Sequence, residues 1–133
     1  MERPFSIERI DHLVLFVKDL AKSTAFYAML GGEAHANEGR STVMTIGANQ
    51  RILLHPDPTH EPPGDHNRQV QHLNFLIKGP RSIAEVIDYV KASGVDIYDP
   101  PRGEERGIVQ FRLLDPDGNQ IEIRLPTAEE QSA

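Results

Sequence analysis

The sequence predicts an α+β fold: two βαβββ modules in tandem, their strands forming a curved mixed sheet around a central cavity. Three observations predict it. "IDHLVLFVKDLAKSTAFYAML" from Ile10 and "VQHLNFLIKGPRSIAEVIDYV" from Val70 both begin apolar-polar-His-Leu, run through strand-like residues to a lysine and enter a helix. His12 and His72 are thereby matched at an offset of 60 residues. Each helix is followed by strand signals, and a proline-rich stretch without apolar periodicity, "PDPTHEPPGDHNR", separates the halves. A ferredoxin-like α+β sandwich is the competing arrangement of the same elements, and the matched histidines favour the paired modules.

The elements follow in order. The first strand is the apolar run after Asp11, and the first helix is expected over about Leu20 to Leu30. Asp19 is its N-cap, while Leu20, Ser23, Tyr27 and Leu30 recur at helical spacing with Phe26 alongside. The glycines at 31 and 32 supply a left-handed stop. Strands follow near Glu33–Ala36, in "STVMTIG" and in "QRILLH". In the second half the helix reads from about Arg81 to Ser93, with Ile83, Val86, Ile87 and Val90 as its stripe and Gly94 after it. "VDIYD", "GIVQFRLLD" and "NQIEIRL" are the later strands, and "IGANQ" and "DPDGNQ" are turns. Module one then spans about 7–55, the connector 56–69, module two about 70–126, and 127–133 is a frayed tail.

Composition narrows the function. A chain of 133 residues suits one domain of this doubled kind. Its net charge of −6, without a basic cluster, disfavours nucleic acid and anionic membrane surfaces as partners. No apolar run is long enough to span a bilayer and the N-terminal stretch is no signal peptide, so the expectation is a cytoplasmic protein. There is no cysteine, so thiolate catalysis and thiolate metal sites are excluded, and any metal is held by imidazole and carboxylate.

Side chains alternate along a strand, so His12, Val14 and Phe16 share a face, as do His72, Asn74 and Leu76. In the last strand Gln120, Glu122 and Arg124 oppose Ile121 and Ile123, and Glu122 points away from the layer its apolar neighbours join. Modules related by a pseudo-two-fold axis bring the two histidines towards each other, with Glu122 beside them. Two imidazoles and one carboxylate with open positions suit Fe(II), and equally Mn, Co, Ni or Zn. The plainer reading of each residue alone is a hydrogen-bonded strand-end histidine or a cross-strand charge partner.

"IDHLVLFVKDLAKSTAFYAMLGG", "HLNFLI" and "DPDGNQIEI" together resemble the vicinal oxygen chelate superfamily, over about Ile7 to Leu125. That superfamily includes glyoxalases, extradiol dioxygenases, fosfomycin resistance enzymes, methylmalonyl-CoA epimerases and metal-free bleomycin-binding proteins. The resemblance implies one divalent metal held by His12, His72 and Glu122, a small-molecule substrate and a homodimer, with modules sometimes paired between chains. Four-ligand glyoxalases add a ligand from the last strand of module one. Aligning "RILLH" with "QIEIR" puts Leu53 there, at an offset of 69 from Glu122, which counts against a glutathione-hemithioacetal isomerase.

His55, two residues on, shares the face of Leu53 and is the candidate catalytic base, substrate hydrogen-bonding group or substitute ligand; its plainer reading is a solvated strand end. Arg124 is read as a solvent-facing or structural charge in preference to an anion anchor, and "PPRGEERG" as a hairpin loop that could cover a cavity mouth. His35, His60 and His66 receive no role. The leading expectation is a metal-dependent enzyme that chelates an oxygen-rich small molecule and stabilises an oxyanion or enolate, of isomerase or lyase type, or an extradiol-type dioxygenase. The alternative is a non-catalytic binding or resistance protein of the bleomycin-binding type.

Overall fold

A computed structural model describes residues 2–37, 40–61, 72–78, 82–102 and 109–131. The chain divides into two units, Met1–Glu61 and Pro62–Ala133. Their described residues repeat the order β-α-β-β-β, with a four-stranded mixed sheet in each.

The first unit contains β1 (His12–Val17), α1 (Leu20–Met29), β2 (Glu33–Asn37), β3 (Ser41–Ile46) and β4 (Gln50–Pro56). Its sheet order is β1-β4-β3-β2, with β1 parallel to β4 and the other pairs antiparallel. α1 starts where the Asp19 carboxylate accepts the Lys22 backbone N–H at 3.1 Å. It ends through Gly31, whose φ of +101° is open to glycine at little cost. Gly32 is there for space: a Cβ on it would lie 2.8 Å from the Tyr27 carbonyl oxygen and 3.0 Å from Met44 Cε. Phe26 and Tyr27 of α1 are buried, as are Met44, Ile52 and Leu54, which are in register on one sheet face. The opposite face carries His12, Val14 and Phe16 beside Arg51, Leu53 and His55. Within the unit this face is open: Val14 is 45% and Phe16 50% exposed.

The second unit contains β5 (Leu73–Leu76), α2 (Ile83–Ala92), β6 (Ile97–Arg102), β7 (Gln110–Leu114), β8 (Gln120–Arg124) and α3 (Ala128–Gln131). The sheet order β5-β8-β7-β6 and the parallel β5–β8 pair repeat the first unit. Phe111, Leu113, Ile121 and Ile123 are buried on one face, and Val90 of α2 is buried too. α2 begins two residues later than expected because the Ser82 hydroxyl caps it, accepting Glu85 N–H at 3.2 Å. Arg81, where the sequence placed the start, lies outside the described residues.

Two expectations are revised. Pro100 and Pro101 were assigned to a loop, yet β6 continues through Arg102. β6 is an edge strand with register shifts against β7, where a residue without an N–H is tolerated. Residues 103–108 lie outside the described residues. The tail expected to fray instead forms α3 over Ala128–Gln131. Thr127 and Glu130 cap each other reciprocally, and both guanidinium Nη atoms of Arg124 donate to the Glu130 carboxylate at 2.7 and 3.0 Å. Among the described residues no helix is long and apolar enough to cross a membrane.

Candidate metal and ligand site

The second unit builds its polar centre from a turn outwards. Asp115 Oδ1 accepts the backbone N–H groups of Asp117 and Asn119 at 2.9 and 2.8 Å, and Oδ2 accepts from the Asn119 amide at 2.9 Å. Gly118, at φ +83°, completes the reversal. This locked turn pairs Leu114 with Gln120, and counting outwards then sets Arg112 opposite Glu122. On the other side of β8, the parallel register sets Asn74 beside Glu122.

Glu122 is 3% exposed. Its Oε2 accepts from Arg112 Nε at 2.8 Å and its Oε1 from Asn74 Nδ2 at 2.6 Å. Arg112 Nη1 also donates to Gln120 Oε1 at 2.9 Å. His72 Nε2 stands 3.6 Å from Glu122 Oε1, too far for a hydrogen bond. His72 Nδ1 is buried and has no hydrogen-bond partner among the described residues.

His72 and Glu122 fit a shared divalent ion. An imidazole nitrogen and a carboxylate oxygen held ~2.1 Å from one ion lie ~3–3.5 Å apart, close to the separation found here. Arg112 occupies Oε2 and so turns Oε1 towards that position. A carboxylate oxygen has two acceptor sites, so the Asn74 amide and an ion can share it. Within the described residues of either unit, no three histidine or acidic side chains gather closely enough to enclose an ion unaided.

His12, in the first unit, has Nδ1 2.9 Å from Asp11 Oδ2. Asp11 Oδ1 accepts from Arg51 at 2.6 Å, and the His12 and Arg51 hydrogen bonds hold the Asp11 carboxyl below the usual carboxylate range. His55 is exposed and lies opposite Phe16 in the β1–β4 register, with the rings edge-to-face at 5.6 Å. His60 is also near Phe16, its ring tilted and centred 6.3 Å away. Arg124 serves α3, as its structural reading expected.

The register also supports the repeat alignment position by position. Val14, Leu53 and Val43 are neighbours across β1, β4 and β3 exactly as Asn74, Glu122 and Arg112 are across β5, β8 and β7. Leu53 is therefore the counterpart of Glu122, and the first unit carries an apolar trio where the second carries a polar one. Sequence reasoning passed over Arg112 and Asp11. The signal for Arg112 was the "DPDGN" turn, from which its pairing with Glu122 can be counted.

A tandem of βαβββ units with an imidazole and a buried carboxylate on one sheet defines a broad class, and the sequence matches it. The chain belongs to the Glyoxalase/Bleomycin resistance protein/Dioxygenase superfamily, which it matches over residues 9–123. It is 33% identical over 128 residues to Virulence protein STM3117 of Salmonella typhimurium, covering 88% of this chain and 83% of that protein. A solved variant of the fosfomycin resistance protein FosX from Listeria monocytogenes is 25% identical, with a TM-score of 0.72 over 95% of this chain and 96% of that one. That protein is in complex with Mn(II) and a dihydroxypropylphosphonic acid. A glyoxalase/dioxygenase from Nostoc punctiforme has a TM-score of 0.78 at 22% identity, covering 94% and 95% of the two chains, a likeness of fold alone.

Proposed function

We propose that the chain is a divalent-metal-dependent enzyme acting on a small oxygen-rich molecule, with His72 and Glu122 as ligands in its second unit. His12, from the first unit of this chain or of a second copy in a homodimer, is the third ligand that the sequence pattern calls for. The observation that carries the reading is the 3.6 Å separation of His72 Nε2 from Glu122 Oε1, with Glu122 buried and its other oxygen held by Arg112. The Mn(II) complex of the related FosX supports a divalent ion.

When bound, such an ion supplies Lewis acidity towards two oxygens of the small molecule. The chain's own residues do the rest. Arg112 and Asn74 orient the Glu122 carboxylate, and the leucine at 53 keeps the ligand set from becoming the four-ligand glyoxalase kind. His55 is the proton-transfer candidate. It lies opposite Phe16, four strand positions or ~13 Å along from His12. That spacing favours contact with the far end of a substrate over ligation.

One observation favours a second reading. Both oxygens of Glu122 already accept N–H donors, so the cluster is self-sufficient as a buried ion pair in a ligand-binding protein without chemistry. Metal analysis of the tag-free protein separates the two. The enzyme reading expects about one equivalent of Fe, Mn, Ni, Co or Zn per chain, lost in Glu122→Ala. Metal-free wild type, even after reconstitution with each ion, would leave the binding-protein reading.

A further inference from the structure

His12 opens β1, and its ring is held from one side only. Nδ1 faces Asp11 Oδ2 at 2.9 Å, and among the described residues nothing bonds Nε2. The carboxylate that faces it is itself fixed. Its Oδ1 accepts from Arg51 Nη2 at 2.6 Å and lies 3.5 Å from Arg9 Nη2. Arg51 is the residue opposite His12 in β4, so the parallel register delivers that guanidinium to the strand entrance. Arg9 is tied in turn to the Asn49 carbonyl at 2.6 Å, in the reversal between β3 and β4. Two cations thus engage one oxygen of Asp11 and leave the other for the ring.

A neutral imidazole carries one N–H, and the nitrogen that faces an acceptor-only carboxylate must carry it. The lone pair is then on Nε2. An unconstrained histidine in water prefers the opposite arrangement, with its proton on Nε2. We propose that Asp11 is a positioning residue for His12: it holds the ring as the Nδ1–H tautomer and presents Nε2 as a bare donor atom. The role of that atom as a metal ligand rests on the proposed function, whereas the tautomer does not. Metal-binding histidines are commonly oriented by a carboxylate on their outer nitrogen in this way. The counterpart of Asp11 in the second half of the repeat is glutamine, at position 71, so the carboxylate is particular to the first half.

The test uses the full chain. Long-range 15N–1H correlation spectra assign the His12 tautomer in the metal-free wild type, Asp11→Ala and Asp11→Asn, and Zn(II) affinity is measured by chelator competition on the same samples. The expected result is Nδ1–H in the wild type, a swing towards Nε2–H in Asp11→Ala and an intermediate position in Asp11→Asn. Zn(II) affinity should fall by about tenfold in Asp11→Ala. Asp11→Asn keeps an acceptor of the same size, which guards against a folding defect in the alanine variant. A wild-type Nε2–H tautomer, or one that ignores Asp11, overturns the proposal. So does a tautomer that swings while Zn(II) affinity stays unchanged. If the tautomer follows Asp11 but the wild type binds no Zn(II), the positioning role stands and the metal reading alone fails.

Discussion

At the scale of single residues, Glu122 sets the terms. Removing a carboxylate from water costs several kcal/mol unless its charge is matched and its oxygens accept hydrogen bonds. Arg112 and Asn74 meet both conditions. Arg112→Met should therefore destabilise the chain by about 3 kcal/mol, because it strands the carboxylate at 3% exposure. Adding Glu122→Gln to that variant should recover much of the loss, since the stranded charge is gone and the amide still accepts from Asn74. Urea unfolding of the two singles and the double measures the coupling, and strictly additive losses would show that the ion pair contributes nothing. The side of β8 that carries Glu122 was legible because strand alternation is a local rule, and His72 drew notice through its match to His12 in the repeat. Arg112 was not legible, because its meaning depends on a partner ten residues on. That partner is fixed by the Asp115 turn, whose chemistry was plain in the sequence.

At the scale of elements, what the sequence displayed were the pieces with an apolar stripe or a turn signature. α1, α2, both glycine stops and the strands flanking them fall into that group. α3 lacked such a stripe, and its residues look like a solvated tail. It is held by charge and capping: Thr127 and Glu130 close a capping box, and Arg124 reaches forward to Glu130. The Thr-x-x-Glu spacing was the available signal. The Arg124 hydrogen bonds, aided by the Thr127 backbone N–H, lower the Glu130 pKa from 4.5 to about 2. A group whose folded pKa is depressed contributes stability above its unfolded pKa, and that contribution is lost as pH falls through the folded value. The tether of α3 should accordingly be complete above pH 4.5 and fail progressively towards pH 2. The pH dependence of the Glu130 carboxyl carbon shift reports this directly. Arg124→Ala should return its midpoint most of the way towards 4.5, and high salt should do the same in part because both side chains of the pair still reach solvent. A midpoint indifferent to Arg124 would remove the tether as the explanation for α3.

At the scale of the whole molecule, the doubling was legible because two copies of one pattern are easier to see than either alone. The alignment of the halves already showed one divergence in chemistry, Leu53 against Glu122, and the strand register extends it to a trio. The trio Val14, Val43 and Leu53 keeps the register of Asn74, Arg112 and Glu122 and none of its polarity. A ligand that binds only the folded second-unit cluster should stabilise the chain by mass action, by about 2.7 kcal/mol at a hundred times its Kd. For a chain of this length that is a rise in Tm of roughly 10 °C. Zn(II) should produce such a rise in the wild type and almost none in Glu122→Gln, which keeps the shape of the cluster and loses its charge. His72→Ala should behave like Glu122→Gln, and His12→Ala tests whether the first unit contributes a ligand at all. If neither Zn(II) nor Mn(II) moves the wild-type transition, Arg112 is then the full complement of the Glu122 charge. The polar trio would be a structural ion pair beneath a binding surface.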